Sequence, residues 1–229
     1  MSILTEERMA KKYILKSNSK NPQLLDITPD NIARAEAMIR SDSRYKLDNV
    51  RNNIEALLPI VSRNQLTTNV NLNPIFTNIV HEINISNKTR MSHKEEGMIV
   101  SFLMANYTDL IERLYNRDFC LVCELATCST RKNYAFATKF CHYMCFFLFA
   151  GKKQQDNYSI YDSVVASVLG EYAAEYGIYN NKMEPYTVKD FNTYKKYAIY
   201  SEVIDKIILS LGAKVSRNGF DHLLWYANK

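Results

Sequence analysis

The chain is poor in the residues that make turns: its 229 residues include 6 glycines and 5 prolines. An all-β protein needs turn signals about every 8–12 residues, so a sandwich or barrel is excluded. The same scarcity excludes collagen-like and linker-rich chains. No apolar run approaches the ~18 residues of a membrane-spanning helix. The stretch from Met1 to Lys12 is charged and has no apolar centre, so no signal peptide is expected there. These absences lead to the expectation of a cytoplasmic protein with no membrane partner. Apolar residues make up 47% of the chain and charged residues 23%, which permits a large core and excludes wholesale disorder.

Charge of one sign is also scant. The net charge is +5, from 29 basic and 24 acidic residues. Such a balance permits nucleic-acid binding without requiring it.

All five cysteines fall in one stretch: Cys120, Cys123, Cys128, Cys141 and Cys145. In a cytosolic chain disulfides are not expected. Cys120 and Cys123 have the spacing of half a metal site, with Cys128 as a third ligand. Cys141 and Cys145, however, sit in a very apolar segment, and the group is read as small buried hydrophobes. His81, His93, His142 and His222 show no metal-like spacing and are read as ordinary polar residues. No metal and no cofactor is expected.

The pattern predicts helices joined by short polar breaks. Thr28-Pro29-Asp30 opens a helix to about residue 40. Further helices are expected over 45–60 and over Pro74 to Ile85, the latter capped by Asn73. Ser92 and Glu95 form a capping box for a helix running to about Asn116. Then follow 118–128, the nearly all-apolar 136–149, 159–176 and 187–211, the last closed by Gly212. A final helix covers 216–226. The fold class is all-α. The asparagine-rich 62–93 stretch is the expected break between an N-terminal helical part, 1–91, and a second part, 92–229.

Three features carry candidate chemistry. Lys139 opens an apolar run near a helix N-terminus, where dipole and burial both favour the uncharged, nucleophilic amine. The competing role is a lysine whose stem is buried and whose head reaches water. Asp162, in Ile160-Tyr161-Asp162-Ser163, is placed in the first turn of the next helix, with Ser159 as its cap. It is read either as a capping carboxylate or as a fixed negative charge serving a developing cation. Asp221 and Trp225, the only tryptophan, stand at i and i+4 on one helix face, where they suit a flat, hydrogen-bonding base or anchor the last helix.

The run Phe136-Ala137-Thr138-Lys139-Phe140-Cys141-His142, then Ile160-Tyr161-Asp162-Ser163, then Asp221-x-x-x-Trp225 resembles the helix-hairpin-helix DNA glycosylase superfamily. More narrowly, it resembles the bacterial 8-oxoguanine glycosylase-fold proteins and the archaeal 8-oxoguanine DNA glycosylases. The resemblance covers about residues 95–229. It implies a helical bundle with a lysine/aspartate site in a cleft and a double-stranded DNA partner whose target base is extruded. It implies that Lys139 attacks the sugar C1′ and that Asp162 assists. It also implies that Tyr143 stacks on the base, while Asp221 and Trp225 read it. The superfamily's hairpin carries phosphate-binding glycines, and Thr130 to Lys139 has none, so either the backbone approaches phosphate differently or Arg131, Lys132 and Asn133 take that task. The target is 8-oxoguanine or another altered base, hypermodified phage bases included, with β-lyase activity as a companion. The alternatives are a non-catalytic nucleic-acid-binding protein of the same fold, for example in phage defence, and a helical interaction protein. A monomer is expected.

Overall fold

The computed structural model describes residues 26–41, 47–62, 71–178, 194–212 and 215–228. Among the described residues there are eleven α-helices, one short 3-10 turn and no strand. The helices are α1 (Pro29–Ser41), α2 (Asp48–Glu55), α3 (Leu58–Ser62), α4 (Asn73–Asn87), α5 (His93–Ala105), α6 (Tyr107–Tyr115), α7 (Phe119–Thr127), α8 (Tyr134–Leu148), α9 (Ser163–Glu175), α10 (Tyr194–Ser210) and α11 (Arg217–Asn228). The class is all-α, as the turn-poor composition requires. None of these helices is long and apolar enough to cross a membrane. Of the helix expected over 187–211, residues 187–193 lie outside the described residues.

The chain divides into two compact units. One holds α2 to α8 and the start of α10; the other holds α1, α9, the rest of α10 and α11. This division does not follow the expected parts 1–91 and 92–229. Helices α2, α3 and α4 share a unit with α5 to α8, and α1 joins the C-terminal helices. The physical reason is complementary apolar faces: α1 buries Ile32 and Ala35, and α11 packs along it.

In the first unit α8 is the hub and packs against α2, α4, α6 and α7. Its apolar residues lie on all sides, so 12 of its 15 residues are buried and no face is left for solvent. The neighbours supply narrower stripes: Val50 and Ile54 from α2, Phe76, Ile79, Val80 and Ile83 from α4, Leu110 and Leu114 from α6. The helix expected over 92–116 is broken at Asn106. The Asn106 side chain donates to the Phe102 carbonyl at 2.7 Å, and its backbone leaves helical geometry (φ −121°). An asparagine side chain competes with the ladder for backbone partners, and here it ends the helix. The capping box at Ser92 and Glu95 forms as expected.

In the second unit α1 opens on Thr28, whose hydroxyl accepts from the Asn31 amide at 3.1 Å. Helix α11 opens on Ser216, whose hydroxyl accepts from the Gly219 amide at 2.9 Å. A Cβ at Gly219 would stand 2.9 Å from Cγ2 of Ile32, so the missing side chain is what lets α1 and α11 approach. Helix α9 meets α11 through the edge-on ring pair Tyr172–Phe220, 5.6 Å between centroids.

Candidate functional site

The unit built on α8 contains Lys139, Tyr143 and the Arg131–Asn133 segment; the other unit contains Asp162, Asp221 and Trp225.

Lys139 is the sixth residue of α8, one turn beyond the start that the sequence suggests, and is 7% exposed. The difference arises because the helix begins at Tyr134, so Lys139 sits past the N-terminal amides. Lysine is seldom this buried. It shares the helix with Phe136, Phe140 and Tyr143. The Tyr143 ring is buried, and its hydroxyl donates to Oδ1 of Asn87, the last residue of α4, at 2.9 Å. Next to it His142 is buried, with Nδ1 2.8 Å from the Tyr158 carbonyl. A carbonyl only accepts, so Nδ1 carries the proton and the tautomer is set.

The polar segment before α8 is tied inward. The Arg131 guanidinium donates to the Arg90 carbonyl at 2.7 Å and to Oδ1 of Asn133 at 3.2 Å, and it lies 3.4 Å from the Glu95 carboxylate. Asn133 is buried, and its side-chain amide donates to the Ser129 hydroxyl at 2.8 Å. Lys132 is exposed. Arg131 and Asn133 thus hold the α4–α5 turn and the approach to α8 together. The Glu95 carboxyl is held below the usual carboxylate range, first by the Ser92 backbone amide; burial opposes this, and the Ser92 hydroxyl, Arg131 and Asn133 reinforce it.

Asp162 stands just before α9 and caps it. Its Oδ1 accepts from the Val164 and Val165 amides at 3.0 and 3.2 Å. This corrects the expected start of the helix: Asp162, not Ser159, is the cap, and α9 begins at Ser163. Residues 159–161 lie outside the helix, and there the Tyr200 hydroxyl donates to the Ile160 carbonyl and the Tyr161 and Tyr200 rings meet edge-on. Backbone outside a helix uses such side-chain partners where a helix would use its own ladder. Asn73 is likewise not the cap of α4; it is the helix's first residue, and its amide donates to Asn71.

Asp221 and Trp225 lie one turn apart on α11, both half-buried. Asp221 lines a cavity of about 10 Å³ with Ser159, Tyr200, Ile204, Arg217 and Phe220. That is room for one water molecule and not for a nucleobase.

The cysteines are free thiols, Cys141 and Cys145 buried and Cys120, Cys123 and Cys128 partly exposed. Burial pushes the Cys123 and Cys128 thiols up to about 11. These are not activated nucleophiles.

One grouping escaped the linear reading. His81 on α4 and His93 and Glu96 on α5 bring their ligand atoms within 4.8 Å of one another. In the sequence His81 and His93 read as ordinary polar residues, since this grouping is spaced across two helices and not along one. The one local signal was His93 and Glu96 at i and i+3. Comparison with known proteins finds no matching family model, and no significant match among curated proteins or solved structures.

Proposed function

We propose that this chain is a DNA glycosylase of helix-hairpin-helix type, acting as a cytoplasmic monomer on double-stranded DNA with an extruded, damaged or modified base. The observation that carries this reading is Lys139, a primary amine 7% exposed on the central helix of its unit, with Tyr143 one turn beyond it. Lysine is seldom this buried, and catalysis is one reason for a chain to keep one in an apolar helix. In this reading the Lys139 nitrogen attacks C1′, the N-glycosidic bond breaks, and the base leaves with a proton. The amine loses a proton, the sugar ring opens, and an imine joins Lys139 to C1′. Loss of a C2′ proton then expels the 3′ phosphate, and water releases the lysine. The resemblance assigns the negative charge at the oxocarbenium-like transition state to Asp162, and reception of the base to Tyr143, Asp221 and Trp225. 8-Oxoguanine and hypermodified phage bases are the substrates to test first.

A second reading, a non-catalytic nucleic-acid-binding protein of the same fold, is favoured by a specific observation. The Tyr143 ring is buried with its hydroxyl engaged by Asn87, and the cavity beside Asp221 has room for one water molecule only. The deciding experiment is borohydride trapping on duplexes carrying a panel of altered bases. A covalent protein–DNA adduct that disappears in Lys139→Ala supports the glycosylase. Binding at low salt with no adduct and no strand cleavage on any duplex supports the second reading. Failure to bind DNA at low salt removes both.

A further inference from the structure

We propose that His81, His93 and Glu96 bind one zinc ion, through the Nδ1 atoms of both imidazoles and the carboxylate, with water in the fourth position. The two histidines face one carboxylate oxygen: Nδ1 of His81 is 3.4 Å and Nδ1 of His93 is 3.2 Å from Oε2 of Glu96. Zinc bonds to nitrogen and oxygen of about 2.0–2.1 Å place neighbouring ligands of a tetrahedron about 3.3–3.4 Å apart. Both N···O separations match that edge. The two rings are stacked, 6.3 Å between centroids, and the ligand atoms of the three residues all lie within 4.8 Å of one another. Two imidazoles and a carboxylate are a recurrent zinc donor set, and a fourth position left to water is how three-ligand sites are completed.

The outer contacts are also those of a metal site. The Asn84 side-chain amide donates to Oε1 of Glu96 at 2.6 Å. The same amide donates to the Met91 carbonyl at 3.0 Å, and Asn84 Oδ1 accepts from the Met91 amide at 3.0 Å. Asn84 therefore locks the α4–α5 turn and orients the carboxylate, as supporting residues around metals do. Glu96 is nearly buried while His93 is open to solvent, which leaves an entry route. The positive end of α5 lies here, and Glu95 and Glu96 in its first turn offset it.

The proposal is independent of the glycosylase reading, and its test uses no DNA. The full chain is stripped with a chelator, its accessible thiols are capped with iodoacetamide to remove adventitious sites, and zinc is titrated by calorimetry. One equivalent is expected to bind with micromolar or tighter affinity and to raise the melting temperature, by clamping α4 to α5. His93→Ala removes a ligand whose side chain is 94% exposed, so the fold is retained; binding is expected to weaken at least tenfold. His81→Ala is expected to do the same. Cobalt in place of zinc should give the visible bands of a tetrahedral site in the wild type and lose them in His93→Ala. No stoichiometric binding by the wild type, or binding by both histidine variants as tight as that of the wild type, overturns the proposal.

Discussion

The side-chain amide of Asn84 meets a carboxylate oxygen of Glu96 at 2.6 Å while also bonding the backbone of Met91. One side chain on α4 thereby sets the turn, the start of α5 and the direction of a buried acid. Asn84→Ala leaves the Met91 amide and carbonyl and the Glu96 oxygen without this partner, and is expected to cost about 2–3 kcal/mol in chemical denaturation. Asn84→Asp keeps the acceptor but sets a carboxylate against Glu96. It should be the worse variant at neutral pH, with the gap closing in acid as the pair takes up a proton. Equal stability of Asn84→Ala and wild type would remove Asn84 from this role.

Asp162 allows fold and chemistry to be separated. Asparagine caps helices as well as aspartate does, so Asp162→Asn should melt close to wild type, whereas Asp162→Ala should lose ~1 kcal/mol. In the glycosylase reading Asp162→Asn nevertheless loses most excision, since it lacks the charge. Single-turnover cleavage beside a melting curve tests this. Full activity of Asp162→Asn leaves the residue a cap alone.

Gly219 marks the closest approach of α1 and α11. Gly219→Ala gains helix propensity but drives Cβ to within 2.9 Å of the Ile32 side chain. The net effect expected is a loss of about 1–3 kcal/mol from overpacking. Ile32→Ala in the same chain should recover part of it, and a double-mutant cycle would measure the coupling. Additive effects would place the strain elsewhere.

Acid should weaken the fold through named carboxylates. Glu95 is held below its usual range chiefly by the Ser92 amide, and Glu36 by its hydrogen bond from His222 between α1 and α11. Asp118 is also lowered: burial works against this, and Arg113 and the Cys120 amide outweigh it. A carboxyl whose folded pKa is depressed adds stability that is complete above the unfolded value of about 4 and is lost as pH falls through the folded one. Urea midpoints should therefore hold near neutrality and decline below about pH 4–5. Glu95→Gln, which keeps a capping-box residue, should flatten the decline. An unchanged profile would show that Glu95 does not contribute.

Much of the fold follows from signals that act within one or two turns of chain. Thr28-Pro29, Ser92 with Glu95 and Gly212 mark helix ends because they satisfy or release backbone groups a few residues away. The apolar surround of α8 marks a helix with no solvent face, whatever its neighbours. Other features needed partners distant in the chain. Asp162 rather than Ser159 caps α9, and the Ile160 carbonyl before it is taken by the hydroxyl of Tyr200, forty residues on. The contacts of Arg131 with the Arg90 carbonyl and with Glu95 join residues some forty positions apart, which no local pattern shows. His81 reaches Glu96 only because left-handed backbone at Lys88 and Arg90 turns α5 back along α4. Residue type and spacing determine helices and their ends, since those depend on local backbone geometry. Which polar groups meet is decided by packing, since apolar faces are free to choose partners far away and the polar side chains travel with them.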